Sequence, residues 1–222
     1  MALTIKTTTN VKDPAEFISR SILNKLKSGK HALFFVTGGS SINVCMQISE
    51  ILKGQSLEHL TVLLTDERYG PVGHTDSNWG KLIDKGFDLH LARLFPVLTG
   101  EEHKITTESY NKTLLKEFEN AEYKIGLFGV GVDGHTAGIL PGSVAVNSSD
   151  LVCGYETKTF SRVTVTPKAI EKLDEAVIWM QGSDKWQVVK DLSEKDIDIM
   201  KQPAQVLKKV PLLTIFTDYK QN

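Results

Sequence analysis

Gly129-Val130-Gly131-Val132-Asp133-Gly134-His135-Thr136-Ala137-Gly138-Ile139-Leu140-Pro141-Gly142 follows directly on the apolar run Tyr123-Lys124-Ile125-Gly126-Leu127-Phe128. The run has no polar alternation and ends at glycines, which predicts a buried parallel strand. Five glycines in the fourteen residues after it predict a loop whose backbone N–H groups can come close to a ligand, because no Cβ stands in the way. Asp133 and His135 lie inside that loop. An open α/β sheet keeps its chemistry outside the carboxyl ends of its strands, and this is where the carboxylate and the imidazole fall. On its own, Asp-Gly-His describes a glycine-rich turn with a surface histidine equally well. The rest of the chain decides between the two.

Working outward, the same pattern recurs. Ala32-Leu33-Phe34-Phe35-Val36 is a second apolar run, and it meets Thr37-Gly38-Gly39-Ser40-Ser41 before a helical pattern of Ile42, Val44, Cys45, Ile48, Ile51 and Leu52. Strand, Gly-Gly-Ser-Ser and helix make a physical phosphate cradle from N–H groups, hydroxyls and the positive end of a helix dipole. An ordinary strand-to-helix turn capped by Ser40 or Ser41 is the plainer reading. Leu60-Thr61-Val62-Leu63-Leu64 delivers the charged stretch Thr65-Asp66-Glu67-Arg68-Tyr69-Gly70-Pro71, followed by His74, Asp76, Ser77 and Asn78. These charges are expected in a loop at the strand's carboxyl edge. Glu175-Ala176-Val177-Ile178-Trp179-Met180-Gln181 ends in Gly182-Ser183-Asp184-Lys185, and Leu212–Asp218 closes the sheet.

Helices are expected between the strands. Asp13 is read as an N-cap with Pro14 at the first helical position, in front of a stripe of Phe17, Ile18, Ile22 and Leu26. A short helix is expected from about Asn78 and an outer helix within 101–121, and Pro167 is expected to start another. Arg162-Val163-Thr164-Val165-Thr166 alternates like a strand, and Leu151–Tyr155 precedes it. Alternating strands and helices predict an α/β fold with one mostly parallel sheet covered on both faces, in one domain over 1–222. Ala32–Val36 is expected to be the first strand.

Composition narrows the partners. Of 222 residues, 41% are hydrophobic and 24% charged, as in ordinary globular domains. A net charge of −1 gives no long-range attraction for nucleic acid or an anionic membrane, so any bound anion must be held by local groups. No apolar stretch reaches membrane-spanning length, and the N-terminus lacks the plan of a signal peptide. Cys45 and Cys153 lie far apart in apolar surroundings, which predicts free thiols, no metal spacing and a cytoplasmic setting.

Four segments together resemble the 6-phosphogluconolactonase family, within the wider glucosamine-6-phosphate isomerase/6-phosphogluconolactonase superfamily. They are Thr37–Ser41; Asp66–Pro71 with His74, Asp76, Ser77 and Asn78; Gly129–Ala137; and Gly182–Lys185. Their order and spacing match over about the first 190 residues. The chain departs from the family pattern at Gly70, where valine is usual, at Gly138, where serine is usual, and in lacking an Ala-Pro approach to Arg162. The resemblance implies a Rossmann-like three-layer αβα fold of the ribose-5-phosphate isomerase/CoA transferase-like kind. It also implies hydrolysis of 6-phospho-D-glucono-1,5-lactone to 6-phosphogluconate in the oxidative pentose phosphate pathway, with no cofactor and no metal.

Carried onto these residues, the resemblance makes His135 the base that activates water, since a free imidazole with a pKa of about 6.5 is largely neutral in the cytoplasm. Asp133 would orient the ring, unless it is a structural ion pair with a cation such as Arg68. Asp66, Arg68 and Asn78 would meet the sugar hydroxyls and the carbonyl. Gly38, Gly39, Ser40, Ser41, Arg162 and Lys185 would bind the phosphate end. Two rivals remain. Glucosamine-6-phosphate deaminases share the Asp-Gly-His loop but place a glutamate seven residues after its aspartate, where this chain has Leu140. A non-catalytic sugar-phosphate sensor would need a DNA-binding segment, for which the roughly 30 residues before Ala32 offer no helix-turn-helix room.

Overall fold

The computed structural model describes residues 2–220. A seven-stranded sheet carries the fold. Its strands are β1 (Ala2–Thr7), β2 (Ala32–Val36), β3 (Leu60–Leu64), β5 (Arg93–Phe95), β6 (Tyr123–Gly129), β9 (Glu175–Met180) and β10 (Leu212–Thr217). They run in the order β1-β10-β9-β6-β2-β3-β5, and every neighbouring pair is parallel. Every residue of β2, β3 and β9 is buried, because strands inside a parallel sheet are covered on both faces. Helices α1 (Lys12–Lys27), α2 (Ile42–Leu52), α3 (Asn78–Asp84), α4 (His103–Asn120), α5 (Pro167–Ile170) and α6 (Trp186–Glu194) connect the strands. Helix α1 buries Ala15, Ile18 and Ile22 on one face, and α4 buries Tyr110, Leu114 and Phe118, as their spacing requires. No described helix is long and apolar enough to cross a membrane.

Several expectations are corrected. A second, three-stranded antiparallel sheet is present, with order β4-β8-β7 from β4 (Asp66–Tyr69), β7 (Val152–Glu156) and β8 (Ser161–Val165). Asp66–Tyr69 is therefore a strand, not a loop: β8 pairs with it residue for residue, and its charges hide that pairing from local sequence. The first strand is Ala2–Thr7, not Ala32–Val36. Only Leu3 and Ile5 of β1 turn toward the core, so this edge strand carries little apolar signal. Helix α1 starts at Lys12 after Val11, with no side-chain cap. Instead of capping it, Asp13 accepts hydrogen bonds from Thr8 Oγ1 at 2.5 Å and Asn10 Nδ2 at 3.0 Å, pinning the turn that enters the helix. Neither Ser40 nor Ser41 caps α2. A 3-10 turn over Gly39–Ser41 leads into the helix, and Ser41 makes no side-chain cap bond.

Candidate active site

Strands β2 and β6 are neighbours at the middle of the large sheet. From β2 the chain builds outward through β3 and β5, and from β6 it builds the other way through β9 and β10. That reversal is a topological switch point, where the loops leaving adjacent strands part and open a crevice. A cleft of about 260 Å³ lies there. Thr37, Gly38, Gly39 and Ser40 enter it from the end of β2, and Gly129, Val130, Gly131, His135 and Ala137 enter from the end of β6. Asp66 and Arg68 of β4, Asn78 at the start of α3, Arg162 of β8 and Lys185 after β9 complete the lining.

The loop after β6 turns tightly on itself. Isolated bridges join Val130 to Thr136 and Thr136 to Ile139, and Gly131 N–H donates to the His135 carbonyl at 3.0 Å. Ala137 is held at φ +50°, a left-handed conformation uncommon for a residue with a Cβ and one that accumulates at functional loops. His135 Nδ1 lies 2.6 Å from Asp133 Oδ1, and His135 backbone N–H also donates to that oxygen at 3.1 Å. A carboxylate can only accept, so Nδ1 carries a proton, and in the neutral ring the lone pair is then on Nε2. Burial acts to raise the Asp133 carboxyl pKa, but the His135 N–H, charge and ring outweigh it and hold the group below its ordinary range. Asp133 thus pairs with His135 and not with Arg68. A Cβ on Gly131 would overlap the imidazole, so this ring position requires glycine there.

On the other wall the cations gather. Arg68 and Arg162 stand opposite each other across the β4–β8 pair, a repulsive arrangement for like charges. Their guanidinium carbons lie 5.4 Å and 5.8 Å from the centre of the Phe160 ring, which gives both a cation–π contact. Arg162 also approaches Asp66 Oδ2 at 3.6 Å, and Arg68 donates to the Asp76 carbonyl at 3.1 Å. Both Nε atoms and Asn78 Oδ1 are buried without a protein partner. Asn78 Nδ2 meanwhile donates to the Asp66 carbonyl at 2.9 Å. Among the described residues no carboxylate lies within ion-pairing reach of Lys185. No group of three or more His, Cys, Asp or Glu among them is arranged for a metal ion.

Of the expected site residues, Gly38, Gly39, Ser40, Asp66, Arg68, Asn78, His135, Arg162 and Lys185 line the cleft. Ser41 does not: it is fully buried with Oγ unpaired, on the side of its turn that faces Gly129. Asp133 stands behind His135 and not in the lining. Thr37, Gly129, Val130, Gly131 and Ala137 line the cleft as well, although the sequence marks them only as parts of their motifs. Nothing local in the charged stretch singles out Glu67. It is wholly buried beneath the site, accepting from the N–H groups of Arg68, Asn78 and Trp79 and from Ser77 Oγ. Phe160 carried no local signal at all. The departures from the family pattern have steric partners: His74 packs against Gly70, and Thr164 with Asp66 fills the space over Gly138. Leu140, at the deaminase glutamate position, is outside the lining and holds no titratable group.

The sequence profile of the glucosamine-6-phosphate isomerases/6-phosphogluconolactonase family matches residues 6–214. The chain belongs to that family. A 6-phosphogluconolactonase of Borreliella burgdorferi is 24% identical over 208 residues, covering 87% of this chain and 86% of that protein. One from Chlamydia pneumoniae is 24% identical over 195 residues, covering 82% and 75%. The crystal structure of a 6-phosphogluconolactonase from Shewanella baltica superposes with a TM-score of 0.81 at 18% identity, covering 97% of this chain and 98% of that one. That of Leishmania guyanensis gives 0.78 at 20% identity, covering 98% and 97%. At these identities the superpositions establish the α/β fold.

Proposed function

We propose that this family member is a 6-phosphogluconolactonase, working as one domain in the cytoplasm, where its free thiols Cys45 and Cys153 would stay reduced. The carrying observation is one cleft with His135, held from behind by Asp133, on one wall and Arg68, Arg162 and Lys185 on the others. A lactone is an activated ester, and its hydrolysis needs a base, a water nucleophile and charge stabilisation at the carbonyl oxygen. With Nδ1–H held by Asp133, His135 Nε2 takes a proton from water as its oxygen bonds to the lactone carbonyl carbon. The tetrahedral oxyanion forms beside Arg68 and Asn78. When it collapses, the ring C–O bond breaks and the imidazolium returns the proton to the departing oxygen, leaving a free hydroxyl and a carboxylic acid that then loses its own proton to solvent. The loop at Gly38–Ser40 with Arg162 and Lys185 holds the phosphate, the dipole of α2 adding to their charge.

The test is turnover of freshly generated 6-phosphogluconolactone, with spontaneous hydrolysis subtracted. Wild-type protein is expected to accelerate its loss, and His135→Ala to lower kcat by roughly 10²–10⁴ with little change in KM. Folded His135→Ala protein with near-wild-type kcat would remove the histidine from the mechanism. Wild-type protein without activity would remove the reading.

A further inference from the structure

Lys185 reaches the cleft on a short turn, Ser183–Lys185, between β9 and α6. A lysine stem is long and flexible, so the placement of its ammonium depends on how firmly its backbone is held. The residues on either side of the turn are fastened to one carboxylate. Asp218 follows β10, the neighbour of β9 in the sheet. Gly182 N–H lies 3.2 Å from each of its two oxygens, and the Trp186 indole Nε1–H donates to Oδ1 at 3.0 Å. Gly182 has φ +106°, a conformation that side-chain-bearing residues rarely adopt, and its carbonyl accepts from Lys185 N–H at 3.0 Å. The segment bearing Asp218 is itself tied down. Tyr219 packs on Trp186 with ring centres 6.0 Å apart, and its carbonyl accepts from Thr7 Oγ1 of β1 at 2.9 Å.

We propose that Asp218 is a positioning residue for phosphate recognition, a clamp at the sheet's edge that fixes the Gly182–Trp186 turn and so the Lys185 ammonium. Its carboxylate is occupied by a backbone N–H and an indole N–H, which leaves the lysine charge for the ligand. The inference rests on the reading that Lys185 meets the substrate phosphate. It gives the last strand a part in substrate selection, through a residue that does not line the cleft.

The experiment compares Asp218→Asn, Trp186→Phe and Lys185→Ala, each checked for folding by thermal melting. Phosphorylated and unphosphorylated gluconolactone serve as substrates. Asp218→Asn keeps the side-chain shape but loses the charge and one acceptor, and Trp186→Phe removes only the indole donor. Asp218→Asn is expected to raise KM for the phosphorylated lactone roughly tenfold and Trp186→Phe by less, with kcat and the unphosphorylated reaction little changed. In a Lys185→Ala background, Asp218→Asn should add nothing to KM. Unchanged KM in both clamp variants alongside a raised KM in Lys185→Ala would overturn the clamp and leave the phosphate role of Lys185 standing. Equal losses on both lactones, or a fully additive double variant, would also overturn it. Unchanged KM in Lys185→Ala itself would remove the premise, and the clamp with it.

Discussion

At the scale of single residues, the proposed chemistry rests on which nitrogen of His135 holds a proton, and Asp133, 2.6 Å from Nδ1, favours a proton there. The Asp133 pKa is lowered, so the sign is that of a depressed acid. Its contribution is present above the ordinary aspartate pKa and is lost only as pH falls through the lowered folded value. Across the range in which an imidazole titrates, Asp133 therefore stays anionic. Asp133→Asn removes the anion that stabilises the imidazolium. It should lower kcat roughly 10–100-fold, which background-corrected steady-state kinetics measure. An unchanged kcat in folded protein would make Asp133 a structural residue only. Gly131 belongs to the same scale, since a side chain there would displace the ring.

Between elements, the β4–α3 connection depends on a buried charge. Burial pushes the Glu67 carboxyl up, against the pull of the N–H groups of Trp79, Asn78 and Arg68. Two of those donors, Asn78 and Trp79, open α3, where the dipole favours an anion. Ser77 Oγ accepts from Gly80 N–H as the helix's own cap and donates to Glu67 as well. Glu67→Gln replaces an acceptor-only group by one whose NH₂ faces N–H donors. It is expected to destabilise the fold by about 2–4 kcal/mol and to loosen Arg68 and Asn78 together, so that kcat/KM falls in protein that is still folded. Urea denaturation with activity measured below the transition checks both; an unchanged midpoint would show that the network tolerates an amide. The element itself was not legible in the sequence. Asp-Glu-Arg-Tyr looks like a solvated turn until β8 pairs with it, and that partner lies about 95 residues further along the chain.

The whole molecule decides where the charges meet. Arg162 comes from the small antiparallel sheet and Lys185 from the carboxyl end of β9 in the large one, and only the packing of the two sheets brings them to one cleft. Lys185→Ala and Arg162→Ala are each expected to raise KM for the phosphorylated lactone, a loss of about 1.5–3 kcal/mol per charge-assisted contact. Steady-state kinetics on both lactones check this, since unphosphorylated gluconolactone should be used poorly and be little affected. Arg162→Ala also leaves buried Asp66 without its cation, so a lower melting temperature should accompany it and not Lys185→Ala. By itself the sequence determined the central strands, the glycine-bearing loops at their carboxyl ends and the residue types those loops carry. Continuous apolar runs and glycine positions are local properties, fixed by burial and backbone sterics within a few residues. Only the tertiary structure decided that β2 and β6 are neighbours, that β1 closes one edge and that Asp66–Tyr69 is a strand. It also decided that Ser41 turns inward, that Glu67 accepts from the start of α3, that Phe160 meets Arg68 and Arg162, and that Asp218 accepts from Gly182 and Trp186. A strand's hydrogen-bonding edge accepts any partner of suitable register. The choice of partner is made by long-range packing, and hydrophobic patterning records that a residue is buried without recording beside what.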